Sequence, residues 1–135
     1  MYKNILVPVV FDENHDNHGT FEIARALATK DAKFTVVHVM ETIPNYATVE
    51  IPDDILQKAR ARIEASLIET AKVLPGGSPE LISGHAGSAI VDYASKNNID
   101  CIVIASHRPE FSDIFLGSTA ARVVRHAQCA VHVLR

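Results

Sequence analysis

Short apolar runs alternate along the chain with longer stretches whose apolar residues recur at helical spacing. Ile5 to Val10 (Ile-Leu-Val-Pro-Val-Val) is a continuous apolar run, the pattern of a strand covered on both faces. Pro8 falls near its end, where a missing N–H costs little. Asp12 to Gly19 is polar and reads as a loop. After it, Phe21, Ala24, Leu27 and Ala28 mark one face of a helix. Phe34 to Met40, rich in β-branched residues, is a second strand. Glu41 to Asp54 is a long connection holding Pro44 and Pro52, and Asp53 or Asp54 is placed to cap the next helix. That helix carries Ile55, Ala59, Ile63, Leu67 and Ala71 on one face, runs to Val73, and stops before Pro75-Gly76-Gly77.

Leu81 to Ser83 is a weaker third strand. Gly84 to Ser88 leads into a helix with Ile90, Tyr93 and Ala94, broken at Asn97-Asn98. Cys101 to Ala105 is the clearest buried strand, Ser106 to Leu116 is irregular, Gly117 to His126 is helical, and Ala130 to Leu134 is a last strand. The order β-α-β-α-β-α-β-α-β predicts a doubly wound α/β domain over residues 1–135, with a parallel sheet and helices on both faces. Ligands of such sheets bind outside the carboxyl ends of the strands, where strand order reverses. The loops that matter are then those after Val10, Met40 and Ala105.

Composition narrows the class. The 135 residues are 47% hydrophobic and 21% charged, the balance of a soluble globular domain. A net charge of −3 argues against a nucleic-acid binder, which presents a basic face. A small anion is still admitted, because a few backbone amides can hold a phosphate. Cys101 and Cys129 lie far apart in apolar surroundings, so they read as reduced buried thiols and not as a metal or redox pair. The Met-Tyr-Lys-Asn start carries no signal-peptide pattern, and no apolar run approaches the ~20 residues of a membrane span. The expectation is a cytoplasmic protein without membrane insertion.

Candidate chemistry concentrates between Ala105 and Ser118. The segment follows a strand and ends at a helix start. Gly117 lets an anion approach the backbone, Ser118 supplies a hydroxyl at the expected N-cap, and the helix directs its unpaired amides to the same place. His107 and Arg108 add donors, Arg108 in a geometry that forks onto phosphate. The chain has no Gly-Lys-Ser/Thr loop and no Gly-x-Gly-x-x-Gly after the first strand. His15 and His18, with Asp12 and Asp16, read as a solvated loop and not a metal site. His38 reads as a core or rim residue of its strand. Ser88 and Ser106 lack a nucleophile-elbow sequence, and no residue is an evident general base. Catalysis is not expected beyond slow hydrolysis of a bound phosphate ester.

Lys3-Asn4-Ile5-Leu6-Val7-Pro8, Ile104-Ala105-Ser106-His107-Arg108-Pro109, Leu116-Gly117-Ser118-Thr119-Ala120-Ala121, Val123-Val124-Arg125-His126-Ala127 and Val131-His132-Val133-Leu134-Arg135 together resemble the universal stress proteins of the UspA superfamily, in its UspF/UspG-like branch. The resemblance covers nearly the whole chain. It implies a five-stranded parallel sheet of order 3-2-1-4-5, of the adenine-nucleotide alpha-hydrolase-like type. It also implies a homodimer through the last strand (Ala130, Val131, His132, Val133, Leu134) and a stress-response role.

The resemblance further implies an adenine nucleotide, ATP before AMP, with Mg2+ accompanying its phosphates. In the ATP-binding members a Gly-x-x-Gly, nine residues and a Gly-Ser or Gly-Thr hold the phosphates. Here Ala105 and Arg108 stand at the first two glycines, eight residues follow, and Gly117-Ser118-Thr119 completes the pattern. Pro8 and Val9 match positions beside adenine and ribose, and Val39 matches the residue whose backbone faces adenine. Val10 stands where those members carry an aspartate on the ribose hydroxyls. The alternative implied by the departures is a nucleotide-independent dimeric module regulating a protein partner such as a transporter.

Overall fold

The computed structural model describes residues 1–11, 17–41, 51–106 and 116–135. The elements in chain order are β1 (Tyr2–Pro8), α1 (His18–Leu27), β2 (Ala28–Met40), α2 (Asp53–Ala71), β3 (Ser78–Ser83), α3 (Ala86–Lys96), β4 (Cys101–Ala105), α4 (Ser118–His126) and β5 (Ala130–Leu134). All strand pairs are parallel, and the order across the sheet is β3-β2-β1-β4-β5. This is the order implied by the family resemblance.

The continuous apolar runs follow from burial of the central strands on both faces. Ile5, Val7 and Val9 point to one face and meet Phe21 and Ala24 of α1 and Leu67 and Ala71 of α2. Leu6, Val37, Ile102 and Ile104 point to the other and meet Ile90 and Ala94 of α3 and Ala120 and Val123 of α4. The side-chain period of two in a strand thus feeds two separate core layers. Fully burying each Leu, Ile or Val contributes about 1.5–3 kcal/mol. β1 and β4 lie side by side but are not consecutive in sequence, so the strand order reverses between them.

Several boundaries differ from the expectations. β1 starts at Tyr2 and ends at Pro8, although the Val9 N–H continues the ladder onto the Val37 carbonyl at 2.8 Å. α1 ends at Leu27, and β2 begins at once. Its first half carries the exposed Lys30, Asp31 and Lys33, and the pairing of β1 with β2 is irregular between Tyr2 and Asn4. Those polar residues lie outside the core, so no apolar period announces this part of the strand. Asp53 and Asp54 do not cap α2. Pro52 holds the N-cap, and both acids lie in the first turn, where they complement the helix dipole. α2 closes at Ala71, two residues before Val73.

The start of α3 packs closely against the middle of α4. A Cβ on Gly87 would lie 2.9 Å from Arg122 Cβ, and Arg122 Nε donates to Ser88 Oγ at 2.8 Å. This contact ties the start of α3 to the middle of α4.

Candidate functional site

A cavity of about 300 Å³ opens at the carboxyl ends of β1, β2 and β4, where strand order reverses. β1 contributes Pro8, Val9 and Val10, β2 contributes His38 and Val39 with Glu41 beyond, and β4 contributes Ile104, Ala105 and Ser106. Three helix starts complete the lining: Asn17 before α1, Ala86 opening α3, and Gly117, Ser118, Thr119 and Ala120 at α4. The size falls at the lower end of small-molecule pockets.

The start of α4 is set by two bonds from Ser106. The Ser106 N–H donates to the Leu134 carbonyl at 2.9 Å, which ties the end of β4 to the end of β5. Its Oγ accepts the Gly117 N–H at 3.2 Å, and the residue is 8% exposed. Gly117, not Ser118, is the N-cap of α4, and no side chain caps the helix. The reason is steric. A Cβ at Gly117 would sit 3.2 Å from the Ser106 carbonyl oxygen, so glycine allows Ser106 and the helix start to approach. Ser118 is therefore the first helical residue. The helix ladder begins with the Ala121 N–H on the Gly117 carbonyl at 2.8 Å. The amides of Ser118, Thr119 and Ala120 precede it, as helix geometry requires. These three residues line the cavity, at the positive end of a helix dipole that favours anions.

The opposite wall differs in character. Val9 is buried, whereas Val10 is 47% exposed and has no group that can accept or donate. His38 is half-buried, and its Nδ1 lies 2.9 Å from the Val9 carbonyl oxygen. The Phe11 ring is tilted against the imidazole with centroids 5.1 Å apart. Asn17 at the start of α1 makes no side-chain cap bond. Its carbonyl accepts the Phe21 N–H and the Thr20 hydroxyl.

The structure brings together Pro8, Val9, Val10, Val39, Ile104, Ala105, Ser106, Gly117, Ser118 and Thr119 from the sequence-based set. His107 and Arg108 lie outside the described residues, as do Asp12, His15 and Asp16. His18 faces Glu22 one turn on, with Nε2 3.1 Å from the carboxylate. Asn17, Glu41 and Ala86 were not singled out by sequence, and His38 was read as a core or rim residue, yet all four line the same cavity. The available signal was topological. Each is close to the carboxyl end of a strand or to the helix start that follows one. Among the described residues, no cluster of three His, Cys, Asp or Glu side chains is placed to hold a metal ion, and no helix is long and apolar enough to cross a membrane.

The comparisons with known proteins agree with this architecture. Universal stress protein A homolog 2 of Coxiella burnetii is 29% identical, over 99% of this chain and 95% of the relative. The solved structure of UspA from Lactobacillus plantarum superposes with a TM-score of 0.78 at 27% identity, covering 99% of this chain and 98% of the other. A family protein from Arabidopsis thaliana, solved with AMP bound, has a TM-score of 0.62 at 17% identity, over 98% and 90% of the two chains, a likeness of fold. The model of the universal stress protein family matches residues 1–135: the chain belongs to the universal stress protein family.

Proposed function

We propose that the cavity binds an adenine nucleotide, ATP in preference to AMP, and that nucleotide occupancy is what this protein reports to a regulatory partner in a stress response. The observation that carries this reading is the start of α4. Ser118, Thr119 and Ala120, whose amides precede the helix ladder, line a cavity at the strand-order reversal, and Gly117 lets Ser106 pack against that helix start. That arrangement suits phosphate. In this reading Gly117, Ser118 and Thr119 hold the phosphates, while Pro8, Val9 and Val39 flank the sugar and base. Ile104, Ala105 and Ser106 form the floor, and His107 and Arg108 add charge. The Arabidopsis relative, of the same fold, carries AMP. Magnesium would enter with the phosphates. Calorimetric titration with ATP and AMP, with and without magnesium, tests the reading. Saturable heat at sub-millimolar ATP is expected, and absence of heat at millimolar nucleotide in every condition would sink it.

One observation favours a second reading. Val10 presents an exposed apolar side chain to the cavity, at the position where the resemblance implies a ribose-binding aspartate. A nucleotide-independent dimeric module acting on a protein partner needs no such acid. Both readings use a homodimer. β5 pairs with β4 and ends the sheet, and its apolar sequence is an edge that a second copy can extend.

A further inference from the structure

We infer that His38 is a specificity-determining residue of the cavity, its Nε2 accepting a hydrogen bond from a sugar hydroxyl of the bound nucleotide. The inference rests on the nucleotide reading above and deepens it.

The tautomer follows from the partner. The Val9 carbonyl oxygen can only accept, so the His38 Nδ1 that lies 2.9 Å from it carries the proton. In the neutral imidazole Nε2 is then a bare acceptor. The ring is held at two points, by the Val9 carbonyl and by the Phe11 ring. His38 lines the cavity, so its held ring carries the acceptor that we assign to the ligand.

The cavity needs an acceptor there. The neighbouring wall is Val9 and Val10, and neither side chain can pair a hydroxyl. Leaving a sugar hydroxyl against that wall without a partner costs its hydration. Glu41 also lines the cavity, but it is exposed and lies past the end of β2, with nothing among the described residues to fix its carboxylate. An acceptor already held in place binds with less loss of freedom. The placement also suits the ligand's length. His38 on β2 and the α4 amides beside β4 flank β1, two strand spacings or about 10 Å apart. Phosphates at α4 then leave the sugar hydroxyls to face β2.

The test is calorimetric titration of the full chain, wild type and His38→Asn, with ATP, 2′-deoxyATP and 3′-deoxyATP. Asparagine keeps an N–H close to the Nδ1 position for the Val9 carbonyl and lacks Nε2. The wild type is expected to bind ATP about tenfold more tightly than at least one deoxy analogue. The variant is expected to bring that ratio close to one. Equal binding of all three by the wild type overturns the inference. So does a tenfold ratio that persists in the variant, or a variant that weakens all three in the same proportion, as a merely structural role would give. A second readout needs no variant. The ¹⁵N resonance of His38 Nε2 in labelled wild-type protein should shift on ATP and not on the discriminating analogue; an unmoved resonance overturns the assignment. If no adenine nucleotide binds the wild type, the nucleotide reading falls and takes this inference with it. Binding without hydroxyl preference removes this inference and leaves that reading standing.

Discussion

At the amino end of the sheet, Asp100 accepts the Lys3 N–H at 2.8 Å with one oxygen and the Asn4 N–H at 3.0 Å with the other. Its own N–H donates to the Asn4 carbonyl, and its carbonyl accepts the Ala130 N–H. The Asn4 amide in turn donates to the carbonyls of Asn97 and Asn98, where α3 has ended at its Asn97 C-cap and Asn98 takes a positive φ of 55°. At the carboxyl end, α1, α3 and α4 begin without a side-chain cap bond, and residues at all three starts line one cavity. The amino end spends its polar groups on joining β1, β4 and β5. Among the described residues, the carboxyl end shows no such network. One end is therefore expected to govern stability and the other ligand affinity, and substitutions can separate the two.

The largest separation is expected from Gly117→Val. The new side chain crowds the Ser106 carbonyl and covers the amides of α4. Nucleotide affinity should fall by roughly 30-fold or more, about 2 kcal/mol, while a valine N-cap costs about 1 kcal/mol of stability. Calorimetric titration beside urea denaturation reads both quantities. Unchanged affinity would mean that the open amides are not where the phosphate sits.

Asp100→Ala should do the reverse. It removes the acceptor of two strand amides, at about 2–3 kcal/mol for charge-assisted bonds. Nucleotide affinity of the folded fraction should change less than twofold. Denaturation and titration of the same preparation check this, and a parallel loss of affinity would show that the two ends are coupled.

Val133→Lys places a charge on the outer strand, β5, which also supplies the Leu134 carbonyl that anchors Ser106. Monomers are expected in sedimentation, with affinity reduced less than fivefold if each cavity is complete within one chain. A dimer that persists would move the interface elsewhere.

Much of the sheet was legible in the sequence, and the reason is burial. β1, β4 and their neighbours are covered on both faces, so the apolar runs marked them. The Gly117-Ser118 start was visible because glycine before a helical pattern has few uses. What stayed hidden depends on contacts distant in sequence. Ser106 bonds Gly117 eleven residues on, and His38 bonds Val9 across 29. Asp100 reaches Lys3 across 97. The strand extension from Ala28 to Lys33 was hidden for another reason. Only Ala28 and Lys33 of this stretch pair with β1, and Lys30, Asp31 and Lys33 are exposed, so no period distinguishes them from a loop.

The smallest effect concerns the closed end again. Cys101 begins β4 beside Asp100, in contact with the core face that holds Ile5 and Val103. Burial, then Cys129, then Asp100 push its thiol up to about 11. A thiol whose folded value exceeds its unfolded value of 9.0 stays protonated in the native state after the unfolded chain has ionised. The unfolded state then binds fewer protons, so stability falls as pH rises. The contribution is whole below pH 9, declines through the window from about 9 to 11, and is lost above it. Cys101→Ala removes this ionisation. Its stability should therefore be lower than wild type at pH 7, for lack of the sulfur's packing, yet decline less steeply between pH 9 and 11. Urea midpoints at pH 7, 9, 10 and 11 distinguish the slopes. Parallel curves would show that the alkaline loss comes from other groups, and that the closed end holds its thiol without cost to ionisation.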